Sequence, residues 1–161
     1  MTLELPPGSD RLPPGRHKAT TGEIKTVLVD GFPGSITRRQ LFDRWVLVRQ
    51  AIGRVVPITA EWLNGSFVTS KEDPGDIDVV THLDAAAYER LDAVDRVTLA
   101  GLLGGRRSRP LHGCDSFPLV AYPAGHPGAA MYTLTAQYWE NLWGTHRDGD
   151  PKGFIEVVDV V

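Results

Sequence analysis

The chain has 161 residues, of which 42% are hydrophobic and 23% are charged. This is enough for one domain with a hydrophobic core, and it excludes a chain that is disordered throughout. The net charge of −3 disfavours bulk attraction to a nucleic-acid backbone.

The cysteine content and the hydropathy indicate where such a protein resides. The single cysteine, Cys114, excludes an intrachain disulfide and is typical of a reducing compartment. No stretch approaches about 18 consecutive apolar residues, so we expect neither a transmembrane helix nor a membrane partner. The first residues are rich in proline and lack the basic and apolar regions of a signal peptide. We therefore predict a cytoplasmic protein.

The N-terminal part of the chain differs from the rest in composition. Five prolines fall within the first 34 residues, which predicts an irregular N-terminal arm over 1–34 and a folded domain over 35–161. The domain opens with a predicted helix that Ser35 or Thr37 can cap and that ends near Gly53, because apolar residues recur there on one helical face.

The remaining sequence alternates between strand and helix patterns. It predicts a small mixed α/β fold of the α+β type, in which helices flank a mixed β-sheet. A flexible basic loop is expected over 104–110. The predicted strands are 58–63, 77–82, 114–122 and 154–160. The predicted helices are 85–91 and 93–103, capped by Asp84 and Asp92, and 129–143, where Leu134, Tyr138 and Leu142 recur at helical spacing.

Two carboxylates open the second predicted strand, shortly after a Gly-Ser turn. Asp76 and Asp78 project to the same side of an extended strand, with Cα atoms about 6.5–7 Å apart. Such a pair can bind one hard cation, or two cations about 3.5–4 Å apart. Gly65 lets a ligand approach the backbone, and the hydroxyl of Ser66 can donate to a phosphate. A short helix after this turn would add an anion site.

A third carboxylate, Asp115, lies near the start of the third predicted strand. If that strand pairs beside the second, the three carboxylates meet at one end of the sheet. Plainer interpretations stay open at this point. The paired carboxylates can be a solvated strand end, the Gly-Ser turn an ordinary turn, and Asp115 a cap or turn residue.

Together these residues resemble the nucleotidyltransferase superfamily of the DNA polymerase beta type. Its members carry a Gly-Ser turn, an Asp-hydrophobic-Asp pair on the next strand and a third Asp on a later strand. The matching positions here are Gly65, Ser66, Asp76, Asp78 and Asp115. The chain also resembles a small bacterial and phage-associated family of nucleotidyltransferase-like proteins. The segments that carry this second resemblance are 12–17, 63–69, 138–139 and 148–153.

The resemblance implies a nucleotidyltransferase-like fold and two-metal phosphoryl transfer. Mg²⁺ or Mn²⁺ would be held by Asp76, Asp78 and Asp115, which are also the implied catalytic residues. A nucleoside triphosphate such as ATP would be the donor of a nucleoside monophosphate to a hydroxyl group. Small members of the antitoxin type often carry an Arg shortly after the turn, and this chain does not. The candidate nucleotide-binding residues are Gly65, Ser66, Lys71, Arg106, Arg107 and Arg109.

Several functions are compatible with this resemblance. The acceptor can be a protein side chain, as in toxin–antitoxin pairs, an RNA 3′ end or a small molecule; the negative net charge disfavours a large RNA. An alternative is a non-catalytic antitoxin or phage-defence module that keeps the fold and binds a toxin or another defence protein. A third candidate is a hydrolase or nuclease that uses the same metals on water.

Overall fold

Five strands form one mixed sheet in the computed structural model, which describes residues 3–160. In chain order they are β1 (Gly15–Ala19), β2 (Ile58–Asn64), β3 (Ile77–Asp84), β4 (Cys114–Ala121) and β5 (Gly153–Val157). Across the sheet the order is β1-β5-β2-β3-β4. The β1/β5 and β3/β4 pairs are parallel, whereas β5/β2 and β2/β3 are antiparallel.

Six α-helices accompany the sheet in the described part of the chain. They are α1 (Thr21–Lys25), α2 (Arg38–Gly53), α3 (Ala85–Glu89), α4 (Ala93–Leu102), α5 (Arg109–His112) and α6 (Ala129–Trp143). The predicted caps are present, because the carboxylates of Asp84 and Asp92 each accept a hydrogen bond from a backbone N–H in the first turn of α3 and α4. None of the helices within residues 3–160 combines the length and the hydropathy that a bilayer crossing requires.

The structure confirms the predicted α/β class, with a mixed sheet flanked by helices. Strands β2, β3 and β4 and helix α6 lie within two residues of their predicted positions. Two details of the prediction were wrong. The closing strand ends at Val157 rather than at residue 160, and the stretch predicted as a flexible loop over 104–110 contains the start of α5 at Arg109.

The proline-rich segment 1–34 joins the sheet and the core over its described part. Its strand β1 pairs in parallel with β5 at the sheet edge. The sequence gives no strand pattern there, because most residues of an edge strand with solvent on one side are exposed and polar. The core side chains that this segment contributes are Leu3, Leu12, Ala19, Ile24, Leu28 and Val29.

Both faces of the sheet are covered, and the alternation of side chains along each strand decides which face they contact. On β3, Val79 and Leu83 pack on the side of α2. Val80 points the other way and packs with Trp143 of α6. Since Asp78 lies two residues before Val80, its side chain is on the α6 face.

Helix α6 packs through a different set of residues from those whose spacing indicated the helix. Leu134, Tyr138 and Leu142 are 62%, 59% and 48% exposed. The contacts with the sheet come from the opposite side, which includes Trp139 and Trp143. Because α6 is apolar on both sides, its periodicity predicts a helix without showing which face is buried.

Arg38, at the start of α2, connects the loop between β2 and β3 to the helix through hydrogen bonds. Its side chain is buried, and each of its five N–H groups donates to a backbone carbonyl. The accepting oxygens belong to Leu28 (2.8 Å), Phe67 (2.8 Å), Thr69 (2.7 Å), Lys71 (2.6 Å) and Glu72 (3.3 Å). Desolvation lowers the pKa of Arg38 to about 10, so the guanidinium stays charged at neutral pH.

We predict that Arg38→Met lowers the free energy of unfolding by about 3–5 kcal/mol, because it leaves five inward-facing carbonyls without their donor. Urea denaturation measures the change. The matched control is Arg39→Met, whose exposed side chain pairs with Asp30 and is worth less than about 1 kcal/mol. Equal midpoints for the two variants would contradict the role assigned to Arg38.

Candidate functional site

A row of polar side chains crosses β2, β3 and β4 at one end of the sheet. Asn64 is the register partner of Asp78 in the β2/β3 pair, and Asp78 is the register partner of Asp115 in the β3/β4 pair. Directly paired residues project to the same face of a sheet, so these three side chains stand side by side. The condition set by the sequence, that the third predicted strand pairs beside the second, is met.

The row lies beyond the C-terminal end of α6. The Asn64 side-chain amide donates to the carbonyl oxygen of Trp143, the last residue of that helix, at 3.4 Å. Asn64 and Asp115 are buried, whereas Asp78 is partly exposed. The carboxylate at the centre of the row is therefore the one that solvent reaches.

Asp76 is joined to this row by Arg109. One guanidinium nitrogen lies 3.0 Å from an Asp76 oxygen, and Nε donates to Asp115 Oδ1 at 2.6 Å, while Nη2 forms a second bond with Asp115. Arg109 is the first residue of α5, a single turn that Gly113 ends in the left-handed conformation at φ 69°. The short helix thus places a cation between two of the three carboxylates.

Gly65 brings the backbone close to the carboxylate of Asp78. Its φ of 82° and ψ of −167° lie in a region that only glycine occupies readily. A Cβ atom at this position would overlap Asp78 Oδ2. Ser66 follows in a three-residue 3₁₀ turn, Ser66–Val68, whose first carbonyl accepts a bond from the Thr69 hydroxyl at 2.7 Å. The Ser66 side chain is partly exposed.

The electrostatics of the row favour a bound cation. Burial, followed by the charges of Asp76 and Asp115, raises the pKa of Asp78 to about 6. Arg109 and Lys152 act in the opposite direction. Three carboxylates so close together repel one another, and a cation that binds them relieves the repulsion.

Sequence reasoning missed two members of the site, Asn64 and Lys152. The Lys152 ammonium donates to Asn64 Oδ1 at 3.1 Å across 88 positions of sequence. Burial lowers the pKa of Lys152, and the charge of Asp78 partly opposes this change. The only local signal was that Asn64 directly precedes the Gly-Ser turn; the place of Lys152 depends on β5 lying beside β2, which local patterns do not show.

The other predicted cations lie at the margin of the row or away from it. Arg106 Nε is 4.0 Å from Asp115 Oδ2, and most of its side chain is in solvent. Arg107 and Lys71 are exposed, and across the described residues neither forms an ion pair with the three carboxylates. Lys71 contributes only its backbone carbonyl, which accepts a hydrogen bond from Arg38.

The donor set fits a hard divalent cation, since Mg²⁺ and Mn²⁺ prefer carboxylate oxygens. Asp76, Asp78 and Asp115 would supply them, and Gly65 leaves room at the Asp78 carboxylate. In the part of the chain that the structure describes, no group of three acidic, His or Cys side chains is arranged to hold a metal, and Arg109 lies between two of the three acids. A metal would therefore replace Arg109 at one carboxylate or more.

We predict that Gly65→Ala destabilises the protein by about 1–3 kcal/mol, because alanine strains the backbone and displaces the Asp78 carboxylate. Thermal or urea unfolding measures the loss. Gly75→Ala is the matched control, because it lies in the same β2–β3 connection and a Cβ there meets nothing within 4 Å. If both variants unfold at the same midpoint, the close approach of Gly65 to Asp78 is not present in solution.

We predict that Arg109→Gln lowers the melting temperature without metal and enlarges the rise that MnCl₂ produces. The variant leaves Asp76 and Asp115 without their cation and removes the group that competes with a metal. A thermal shift series in MnCl₂ measures both effects. Arg107→Gln serves as the control, because Arg107 lies two residues earlier and forms no ion pair within residues 3–160. An unchanged response to MnCl₂ would show that the guanidinium and the metal do not compete.

The chain was compared with protein families, curated proteins and solved structures. No curated protein and no solved structure matches it. A family model described as a family of unknown function, DUF6932, matches residues 7–158. The matched region contains the whole row, Arg109 and Lys152, so the site belongs to the part of the chain that the family model covers. The chain is a member of the DUF6932 family.

Proposed function

We propose that this chain is a metal-dependent nucleotidyltransferase with a nucleotidyltransferase-like fold, which moves a nucleoside monophosphate from a nucleoside triphosphate to a hydroxyl group. The observation that supports this most is the pairing of Asp78 with Asp115 across β3 and β4, with Asp76 joined to Asp115 through Arg109 and the Gly65 backbone against Asp78. Carboxylates arranged in this way around an open turn suit a metal-bound polyphosphate better than a structural role.

Each residue has a definable task in this reaction. Asp76, Asp78 and Asp115 would hold Mg²⁺ or Mn²⁺, which when bound neutralises phosphate charge and lowers the pKa of the acceptor hydroxyl. The Ser66 hydroxyl donates to a phosphate oxygen, and the bare backbone at Gly65 lets that phosphate approach. An Asp115 carboxylate oxygen accepts the proton of the hydroxyl, whose oxygen bonds to the α-phosphorus while pyrophosphate leaves.

One observation favours a second function, a non-catalytic module of the antitoxin or defence type that binds another protein. Arg109 already neutralises Asp76 and Asp115, as it would in a protein that keeps the fold without binding metal. The two functions differ in a measurable way, because only the enzyme requires the carboxylates to exchange Arg109 for a metal.

We predict that one nucleoside triphosphate raises the melting temperature in the presence of MnCl₂ or MgCl₂ and not in their absence. At a ligand concentration of 100 times Kd the gain is about 2.7 kcal/mol. The double variant Asp76→Ala/Asp78→Ala loses this response, because it removes two of the three carboxylates. A thermal shift assay with ATP, GTP, CTP and UTP in turn identifies the donor.

The control variant is Asp43→Ala, an exposed aspartate on α2, which should respond like the wild type. The identified triphosphate, labelled in its α-phosphate, then distinguishes the reactions: a transferase attaches the label to an acceptor, whereas a hydrolase releases it as free monophosphate. No response to any triphosphate with either metal, in wild type and variants alike, would refute the enzyme and favour the protein-binding module.

A further inference from the structure

We propose that Lys152, oriented by Asn64, binds the polyphosphate of the donor nucleotide at the β2 end of the carboxylate row. This inference rests on the proposed function and adds a specific residue to it. It differs from the expectation drawn from the sequence, which assigned the cationic contact with the phosphates to Lys71, Arg106, Arg107 or Arg109.

The position of Lys152 follows from the strand register. Asn64 and Asp78 are paired and therefore project to the same face. The Lys152 ammonium, 3.1 Å from Asn64 Oδ1, is consequently on the face that carries Asp78 and Asp115. It stands at the β2 end of the row, and Arg109 stands at the β4 end.

The surrounding structure holds this ammonium in place. The Asn64 amide is fixed from its other side, because its nitrogen donates to the Trp143 carbonyl. The backbone N–H of Lys152 donates to the carbonyl of Gly144 at 2.8 Å, and that of Gly153 donates to Leu12 at 3.1 Å. Lys152 is thus anchored to the end of α6 and, through its neighbour, to the N-terminal segment.

Lys152 forms no ion pair within residues 3–160, although the nearby charge of Asp78 acts on it. An ammonium has three N–H donors, and here one of them meets the neutral amide of Asn64. Within residues 3–160 no carboxylate lies within 4.0 Å of it, in contrast to Arg109, which pairs with two. A partly buried ammonium without a counter-ion is costly, and an anion at this position offsets that cost.

The neighbouring acids define which anion fits. A bare anion would be repelled by Asp78 and Asp115, so the ligand must bring a cation for the carboxylates together with negative charge for Lys152. A metal–polyphosphate complex has both parts. A cavity of about 580 Å³ is lined by residues 7–14 together with Asp150 and Pro151, none of which belongs to the row, so it is not part of this proposal.

The test uses inorganic tripolyphosphate with MnCl₂ as the probe, and titration calorimetry as the measurement. We predict that Lys152→Met weakens binding by about tenfold or more, and that Lys152→Arg restores most of it, because a charge-assisted hydrogen bond is lost and then replaced. The control is Lys18→Met on β1, which removes the same charge from a side chain that is 71% exposed.

The outcomes separate the two proposals. No binding of tripolyphosphate to the wild type with MnCl₂ would refute the donor site itself. Equal binding to wild type and Lys152→Met would overturn the assignment of Lys152 and leave the proposed function standing. Should Lys152→Met not fold, amine-reactive labelling of the wild type replaces it: tripolyphosphate with MnCl₂ should protect Lys152 and not Lys18, and the absence of protection would overturn the assignment.

Discussion

The hydrogen bonds of Arg38 are the interaction on which the rest of the site depends. The chain from Phe67 to Glu72 has only the isolated bridge of Thr69 with Arg11 as a strand contact within residues 3–160, so most of its carbonyls that face Arg38 need donors from elsewhere. Arginine alone has five N–H groups in one plane, and here all five are used. By these bonds Arg38 holds the connection between the Gly65 turn and Asp76 against α2. A helix residue remote from the carboxylates thereby positions the connection that leads to them, whereas the strand register sets their spacing.

The site also reflects a balance of charge along one line of the sheet. Three carboxylates gather at Asp78, whose pKa burial and repulsion raise to about 6. Arg109 pairs with Asp76 and Asp115 at the β4 end of the row. Lys152 lies at the β2 end, where it donates to Asn64 and forms no ion pair within residues 3–160. In the proposed function, the carboxylate oxygens would bind a cation next to an ammonium that would bind an anion. Because both kinds of group lie side by side, a metal–polyphosphate complex is the ligand that we propose, rather than either ion alone.

The features of the site that could be predicted from the sequence are those that depend on the spacing of neighbouring residues. The alternation of a strand fixes Asp76 and Asp78 on one side, and glycine before Ser66 marks a turn that a ligand can approach. The sequence did not reveal β1, whose edge position leaves its residues polar. Nor did it reveal Arg38, since a charged helix residue normally predicts an exposed face. Lys152 and Asn64 meet only because β5 returns to lie beside β2, and no local pattern encodes strand order.

The geometry of Arg109 bears on which proposed function can operate. Helix α5 is fixed by Gly113, whose N–H donates to the Arg109 carbonyl at 2.8 Å and whose own carbonyl accepts from Ile77. The Arg109 side chain, in contrast, is 44% exposed, so it can turn into solvent while the backbone of α5 stays in place. A metal could then take its position without local unfolding. The incoming phosphates would also attract the released guanidinium, so binding of metal and of nucleotide should be mutually favourable, whereas a purely structural ion pair would oppose both.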